Sequence, residues 1–219
     1  MKTGNRPLGI LGGTFDPIHN AHLRLAEEAT SQLRIGGVLW IPAGQPAHRS
    51  PPVAPAADRL AMVRRAVAGH PDWRIDDSEI ASDEPSYTVP TLERLRQAHG
   101  EDHSLVLLLG ADAFLGLASW HRWRDLFRLA HVAVVSRPGF DLAMAAMDGA
   151  LADEFNRRQS QPASLGAAPA GAIVPFTMEA GTVSSTTVRA LLAAGADAGE
   201  LLPAPVLEYI ASHHLYRPD

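Results

Sequence analysis

Residues 9–29, "GILGGTFDPIHNAHLRLAEEA", contain the pattern that decides the fold of this chain. Residues 8–11 form a short apolar run, which is typical of a buried strand. Two glycines follow this run, and from Asn20 onward the apolar residues recur at helical spacing. The stretch therefore predicts a strand, a loop and a helix in that order, with two histidines where the helix begins.

The composition narrows the class of protein. The chain has 219 residues, of which 46% are hydrophobic, so it can bury a core, and we predict a single domain over residues 1–219. The absence of cysteine excludes disulfides, thiolate metal sites and cysteine nucleophiles. A formal net charge of −5 argues against broad nucleic-acid binding, and no apolar segment resembles a membrane span or a secretory signal. We expect a cytoplasmic protein with no nucleic-acid or membrane partner, and the sequence leaves a homo-oligomer open.

The alternation of strands and helices continues along the rest of the chain. Such alternation predicts the α/β class, with a parallel sheet that carries helices on both faces. Residues 160–172 are small and rich in Pro and Gly, which predicts a loop. Thr88 is expected to cap a helix that ends before Gly100. Further strands are predicted at 38–42, 73–80, 104–110, 131–136 and 173–178, and further helices at 58–68, 111–129, 184–195 and 203–214.

The loop after the first strand has the chemistry of an anion site. Gly12 and Gly13 have no Cβ, so a phosphate can approach the backbone N–H groups there. The helix that begins near Asn20 adds unpaired N–H groups and the positive end of its dipole. His19 and His22 are three residues apart, so both can donate hydrogen bonds to oxygens of one group. A phosphate is the ligand that this pattern favours.

Other interpretations of the two histidines remain open on the residues alone. One histidine could cap the helix while the other lies on the surface. A metal site needs more ligands, and no third histidine or carboxylate stands at a helpful local spacing, so we expect no metal held by the protein. Residues 12–19, "GGTFDPIH", lack the Gly-Lys-Ser/Thr ending of a Walker loop and the GxGxxG pattern of dinucleotide-binding proteins.

Two motifs at opposite ends of the chain resemble those of the nucleotidyltransferase superfamily. Residues 12–23, "GGTFDPIHNAHL", resemble its G-T-F-D-P-x-H-x-G-H motif, and residues 183–189, "VSSTTVR", resemble its S-S-T-x-[IV]-R motif. Ala21 stands where the first motif has Gly, and we expect it to be tolerated. Within the superfamily the chain is most similar to the bacterial nicotinate-nucleotide adenylyltransferase family. The similarity extends to "IPAGQPAHR" (41–49), "SYT" (86–88), "GADAFLGLASWHRW" (110–123), "SRPG" (136–139) and "YIASHHLY" (209–216).

The resemblance implies a fold and a reaction. The fold would be a Rossmann-like, doubly wound parallel sheet of the nucleotidyltransferase type. The reaction would be adenylyl transfer from ATP to nicotinate mononucleotide, giving deamido-NAD and pyrophosphate in NAD biosynthesis. Mg²⁺ would arrive with ATP, because the sequence offers no dedicated cage of carboxylates for it.

The resemblance also assigns roles to residues. Three of them, His19, His22 and Arg189, would stabilise charge on the reacting phosphates. ATP would further contact Gly12, Gly13, Thr14, Phe15, Gly110, Asp112, Ser184, Ser185 and Thr186. Nicotinate mononucleotide would contact Tyr87, Thr88, Trp120, His48, Arg49 and Arg137. We interpret Asp16, which precedes Pro17, as a structural residue of the turn.

Several of these residues also have simpler interpretations. Ser184, Ser185 and Thr186 are typical helix-capping residues, and Asp112 could likewise cap a helix. Trp120 and Trp123 have ordinary core spacing, and for Trp123 we favour the core. For the whole chain, the alternatives are a superfamily member that acts on phosphopantetheine or glycerol phosphate, a non-catalytic nucleotide sensor, and a metal-dependent hydrolase that uses His19 and His22 as ligands.

Overall fold

The computed structural model describes residues 6–46, 51–136, 140, 142, 147, 149–179 and 183–217. Among these residues, no helix is both long enough and apolar enough to cross a membrane. The strands are β1 (Leu8–Gly13), β2 (Gly37–Pro42), β3 (Gln45–Pro46), β4 (Trp73–Ile75), β5 (Pro85–Ser86), β6 (Leu105–Gly110), β7 (His131–Ser136) and β8 (Ile173–Thr177). The helices are α1 (Asn20–Leu33), α2 (Ala56–Val67), α3 (Thr88–His99), α4 (Ala111–Leu115), α5 (Leu126–Leu129), α6 (Gly149–Arg158), α7 (Ser185–Ala193) and α8 (Ala204–Ser212).

Six of the strands form one sheet in the order β4-β2-β1-β6-β7-β8. β1 pairs with β6, β6 with β7, and β7 with β8, all in parallel. Counting only the strands of this sheet, the order is 3-2-1-4-5-6, which is the order of a doubly wound Rossmann sheet. The fold class predicted from the sequence is confirmed. The order reverses after β1, and the strands on either side of the reversal end in glycines, Gly13 and Gly110.

The chain divides into two compact units. The first consists of Met1–Leu11, Ala26–Leu39 and Tyr87–Glu179, and the second of Gly12–Leu25, Trp40–Ser86 and Ala180–Asp219. We call them the strand unit and the loop unit. The single domain expected over residues 1–219 stays a prediction.

The core of the strand unit is built on β6 and β7. Residues 105–109 and 131–135 are buried in unbroken runs, as expected for parallel strands covered on both faces. Arg96, on α3, is also buried, and its guanidinium donates to the carbonyl groups of five residues. Buried N–H and C=O groups need partners, so this one side chain satisfies carbonyls that no strand or helix pairs. Those carbonyls belong to Gly100, Glu101, His103, Leu129 and Pro169.

The loop unit has its own core between α2 and α8, which pack on each other. α2 buries Met62 and Ala66, and α8 buries Val206 and Ile210, each pair lying on one face of its helix. Strands β3 and β5 form a separate parallel pair of two residues each.

The structure differs from the sequence prediction in several elements. The helix predicted at 111–129 is broken into α4, two 3₁₀ turns at Leu117–Ser119 and Trp123–Asp125, and α5. Tyr87, not Thr88, is the N-cap of α3, and Gly100 ends that helix at a φ of 86°, where glycine is favoured. The loop predicted at 160–172 contains a 3₁₀ helix at Pro162–Gly166. Helix α6 was not predicted.

Candidate functional site

The loop after β1 has a backbone that requires glycine at one position and strains another. Phe15 has a φ of 50°, in the left-handed region that side chains disfavour. Its ring is buried against His22, with the ring centroids 5.1 Å apart, and against Trp40 at 5.6 Å. A Cβ at Gly13 would lie 3.0 Å from the Phe15 ring, closer than side chains ordinarily pack. Gly13 therefore makes room for Phe15, and Phe15 packs against the face of His22.

A buried arginine holds this loop from within the loop unit. Arg59, on α2, is 1% exposed and donates to the carbonyls of Thr14, Ala43 and Gly44 at 2.6–3.0 Å. In a trans peptide the C=O and the following N–H point in opposite directions. Because Arg59 holds the Thr14 carbonyl, the N–H of Phe15 is turned away from Arg59. This orientation supports the expected role of the loop backbone as a donor to an anion.

The two histidines lie together at the start of α1. Their rings stack with centroids 3.7 Å apart and planes inclined by 24°. The Nδ1 atom of His22 accepts the backbone N–H of His19 at 3.2 Å, so a neutral His22 carries its proton on Nε2. His22 thus caps the helix with one ring nitrogen and carries an N–H on the other.

His19 has the electrostatics of a neutral donor. It is 5% exposed, and burial lowers its pKa to about 4. The ring is therefore neutral at pH 7, which allows it to stack on a second imidazole without charge repulsion. Its Nδ1 is buried and has no hydrogen-bond partner among the described residues. A buried polar atom without a partner is costly in a folded protein, and a bound ligand would supply the missing partner.

The N–H groups at the start of α1 are less available than the sequence suggested. The N–H of Asn20 donates to the Leu201 carbonyl at 2.9 Å, and that of His22 donates to the His19 carbonyl at 2.9 Å. The N–H of His19 is already paired with His22. An anion at this place would therefore depend more on imidazole and guanidinium groups than on the first N–H groups of the helix.

The second motif lies beside the first, although about 170 residues separate them in sequence. Ser184 caps α7, since its Oγ accepts the Thr187 N–H at 3.1 Å. The hydroxyl of Ser185 donates to the Pro17 carbonyl at 3.0 Å. Arg189 donates from Nη1 to the Asp16 carbonyl at 2.7 Å and approaches the Thr186 hydroxyl at 3.4 Å. The start of α7 is thereby fixed to the residues that precede His19.

Asp16 organises this part of the loop unit. Its carboxylate is 5% exposed and accepts three hydrogen bonds, from the N–H groups of Val53 and Ala54 and from the hydroxyl of Tyr216. Its backbone carbonyl accepts Arg189. The structural role that the sequence suggested for Asp16 agrees with these contacts, but its partners come from three distant segments.

The loop unit thus brings ten predicted site residues into its fold. Their side chains offer N–H and O–H donors and one guanidinium, which are groups that suit an anion. Within the described ranges, no three His, Asp or Glu side chains are grouped as metal ligands would be. We call these ten residues the loop site. They are Gly12, Gly13, Thr14, Phe15, His19, His22, Ser184, Ser185, Thr186 and Arg189.

Other predicted site residues belong to the strand unit. Gly110 ends β6, and the exposed Asp112 lies in the first turn of α4. Trp120 is half-buried, whereas Trp123 is 7% exposed and belongs to the core, as expected. Tyr87 and Thr88 lie at the start of α3, and the Tyr87 ring contacts His121 with centroids 4.8 Å apart. His48, Arg49 and Arg137 lie outside the described residues.

Two residues that shape the loop site are not among the candidates that the sequence offered. Arg59 lies three and four residues before the buried Met62 and Val63, so helical spacing places it on the buried face of α2. The residue type argues the other way, because an arginine in an amphipathic helix is usually a solvated charge. Tyr216 stands in the quoted closing stretch, but its partner Asp16 is 200 positions away in sequence. A pairing over that distance leaves no local periodicity.

Known proteins are similar to this chain over almost its whole length. A family model described as cytidylyltransferase-like matches residues 10–191. A protein of Dechloromonas aromatica (strain RCB), named "Probable nicotinate-nucleotide adenylyltransferase", is 55% identical over 97% of this chain and 99% of its own. A protein of the same name from Laribacter hongkongensis (strain HLHK9) is 45% identical over 97% of this chain and 95% of its own.

A solved structure has the same fold. It is that of Plasmodium falciparum nicotinic acid mononucleotide adenylyltransferase complexed with NaAD. The TM-score is 0.71, at 16% sequence identity, over 96% of this chain and 97% of that one. At that identity the likeness concerns the fold.

Proposed function

Since the chain belongs to the cytidylyltransferase-like family, and within it to the nicotinate-nucleotide adenylyltransferases, we propose that it transfers the adenylyl group of ATP to nicotinate mononucleotide. The products are deamido-NAD and pyrophosphate, and the reaction is a step of NAD biosynthesis. We expect it to take place in the cytoplasm.

The chemistry of this reaction places modest demands on the protein. The attacking group is the 5′-phosphate of the mononucleotide, which is already an anion, so no general base is required. A bond forms between an oxygen of this phosphate and the α-phosphorus of ATP. The bond between the α-phosphorus and the oxygen that bridges it to the β-phosphorus breaks, which releases pyrophosphate. Two polyanions must be held in line while negative charge is redistributed over the phosphate oxygens. Preorganised hydrogen-bond donors are the means of stabilising that charge.

One observation carries the proposal: Arg189 donates to the carbonyl of Asp16 at 2.7 Å, three residues before His19. The two motifs, which the sequence separates, therefore meet within the loop unit, and this contact supports the proposal that they act as one group of donors. His19 and His22 would donate to phosphate oxygens as neutral imidazoles, and Arg189 would bind the leaving pyrophosphate with a fixed positive charge.

The remaining contacts are proposed from the family resemblance. Gly110 and Asp112 would hold the adenosine part of ATP. Asp112 is exposed, so its carboxylate is not desolvated by the protein. Trp120, which is half-buried, has a ring face to offer to the pyridine ring, and the backbone near Tyr87 and Thr88 would bind its carboxylate. His48, Arg49 and Arg137 remain candidates for the mononucleotide phosphate.

Enzymes of this kind use a divalent metal together with the nucleotide, and we propose Mg²⁺. The loop site fits a metal that arrives bound to ATP, because its side chains are hydrogen-bond donors and a cation, which attract the phosphates and not the metal. The metal would neutralise phosphate charge when bound.

The test is the release of pyrophosphate from ATP with a panel of acceptors. We expect turnover with nicotinate mononucleotide, and none above background with phosphopantetheine or glycerol phosphate. A direct competition between nicotinate and nicotinamide mononucleotides then establishes the preference for the acid. Turnover with another acceptor alone would move the chain to a different specificity, and calorimetric ATP binding with no product from any acceptor would make it a nucleotide sensor.

A further inference from the structure

Tyr216 follows α8 in a backbone conformation that the end of the helix does not explain. α8 ends at Ser212, yet the chain continues with His214 and Tyr216 both in left-handed backbone conformations, at φ values of 53° and 62°. Such conformations are strained for residues with a side chain and persist only where the surroundings impose them. The Tyr216 side chain is buried, and its hydroxyl donates to Oδ1 of Asp16 at 2.8 Å.

The carboxylate that receives this hydroxyl has a competing partner. The Nη1 atom of Arg189 lies 3.7 Å from Oδ2 of Asp16, so the two charges attract each other. The same nitrogen, however, donates its hydrogen bond to the Asp16 backbone carbonyl at 2.7 Å. Arg189 is thus held next to a carboxylate without forming the two-pronged ion pair that arginine and carboxylate groups prefer.

The hydrogen bonds to Asp16 account for that arrangement. The N–H of Val53 occupies Oδ2 at 2.7 Å, and the N–H of Ala54 and the hydroxyl of Tyr216 both occupy Oδ1. These three donors fix the carboxylate plane and spread its charge. Burial and the negative charge of Asp16 raise the pKa of the Tyr216 hydroxyl, so it remains a donor at any physiological pH. Tyr216 is the only one of the three donors that a side-chain substitution can remove.

We propose that Tyr216 is a positioning residue of the loop site. It acts through Asp16 to keep the Arg189 guanidinium available to the substrate. Without the hydroxyl, the carboxylate has a free lone pair and can turn toward Arg189. The guanidinium then pairs with Asp16 and its charge is less available to pyrophosphate. The inference rests on the proposed function, in which Arg189 binds the leaving group.

The chain contains a matched control. The hydroxyl of Tyr209, on α8, also donates to an aspartate in the loop unit, Oδ1 of Asp58 at 2.7 Å. Tyr209→Phe therefore removes the same kind of bond in the same unit. We expect both Tyr→Phe variants to fold and to lose similar thermal stability. Only Tyr216→Phe should lower kcat, by about 10-fold, the order expected when one charge-assisted contact to the transition state is weakened.

A double-mutant cycle with Arg189→Lys identifies the route of the effect. If Tyr216 acts through Arg189, the Tyr216→Phe substitution has little further effect on kcat once Arg189 is replaced. If the two losses multiply, Tyr216 acts by another route and the proposal is wrong. Equal kcat values for Tyr216→Phe and Tyr209→Phe, with wild-type turnover present, overturn it as well.

Binding of pyrophosphate separates this inference from the proposed function. Calorimetry with magnesium pyrophosphate needs no acceptor, so it applies even if the wild-type chain shows no turnover with nicotinate mononucleotide. We expect Tyr216→Phe to weaken pyrophosphate binding about 10-fold relative to Tyr209→Phe, on the same physical ground. Absence of turnover in the wild type would refute the proposed function alone, whereas equal pyrophosphate affinities of the two variants would refute the role of Tyr216.

Discussion

At the scale of single residues, the two nitrogens of His22 perform different tasks. Nδ1 accepts the backbone N–H of His19 and caps α1, and the proton of the neutral ring is therefore on Nε2. A substitution that removes the whole ring disturbs both the helix start and the proposed phosphate contact. The two tasks can be separated, because asparagine retains an acceptor near the Nδ1 position and glutamine retains a donor near the Nε2 position.

We predict that His22→Asn folds like the wild type but lowers kcat by ~10²–10³, the loss typical of one transition-state donor. His22→Gln should retain more activity and lose more stability, because it restores the donor and not the cap. Steady-state kinetics with ATP and nicotinate mononucleotide, together with urea unfolding, measure both quantities. His99→Ala, at an exposed position on α3, controls for histidine loss in general. Wild-type kcat in His22→Asn would remove this residue from the mechanism.

The burial of His19 predicts that the stability of the fold depends on pH. Its pKa is about 4 in the folded chain and 6.5 when unfolded, so between these values the unfolded chain binds the proton more tightly. His19 contributes fully to the free energy of unfolding above pH 6.5. Its contribution falls toward pH 4, by up to ~1.4 kcal/mol per pH unit.

The measurement is urea unfolding of the wild type and of His19→Gln at pH 7 and pH 5. Burial also lowers the pKa of His131 and of His103, and both residues remain in the two proteins. The difference between the proteins therefore reports His19. We expect a shallower loss of stability in the variant, and equal losses would show that His19 is not buried as a neutral ring.

The residues of the loop site that carry a recognisable motif could be predicted from the sequence as candidates, whereas those that act through distant partners could not. His19, His22, Ser185 and Arg189 lie in the two quoted motifs, and the structure brings them together. The burial of Arg59 depends on three carbonyls that no helix or strand pattern exposes. Such contacts follow from the tertiary fold, which residue spacing does not encode.

At the scale of elements, helix α7 combines a structural and a proposed binding role at its first turn. Ser184 accepts the Thr187 N–H, which is an N-cap contact. Aspartate is as good an N-cap as serine, but it adds a negative charge where we propose that triphosphate binds. Stability and binding should therefore respond differently to two substitutions at this position.

We predict that Ser184→Ala lowers the unfolding free energy by about 1 kcal/mol, with a small effect on the KM for ATP. Ser184→Asp should leave stability within about 0.5 kcal/mol of the wild type and raise the KM about 10-fold, through charge repulsion of order 1 kcal/mol. Urea unfolding and initial rates over a range of ATP concentrations measure these effects. An unchanged KM in Ser184→Asp would place the triphosphate away from α7.

The elements that the sequence predicted well are those with long apolar runs. β6 and β7 agree with the prediction to within one residue, because unbroken burial gives an unambiguous pattern. The region 111–129 has helical spacing but contains Gly116 and a left-handed Arg122, which interrupt the helix. α6 buries only Leu151 and Phe155, so its periodic signal is weak.

At the scale of the whole molecule, neither compact unit is a continuous piece of chain. Three of their five boundaries fall inside β1, α1 and β2, between residues 11 and 12, 25 and 26, and 39 and 40. Unfolding of one unit would break each of these three elements in its middle, and in α1 it would interrupt the cooperative hydrogen bonds of the helix. We therefore propose that the two units unfold together, as the single domain expected from the sequence would.

The prediction is one cooperative transition in urea. Trp40 and Trp73 belong to the loop unit, and Trp120 and Trp123 to the strand unit. Replacement of either pair by Phe leaves a fluorescence signal from the other unit. In each variant the fluorescence midpoint should coincide with the midpoint of far-ultraviolet circular dichroism, which is the test of two-state behaviour. Separate midpoints within one variant would show that the units unfold independently.

The contact between Asp16 and Tyr216 has a consequence for biosynthesis. Synthesis proceeds from the amino terminus at roughly 5–20 residues per second, so the 200 positions between these residues correspond to about 10–40 seconds. During that interval the carboxylate of Asp16 has been translated but its tyrosine has not. Arg189 is also synthesised 173 residues after Asp16. The growing polypeptide on the ribosome therefore cannot complete the hydrogen bonds of the Asp16 carboxylate until Tyr216 has been synthesised, 200 residues later.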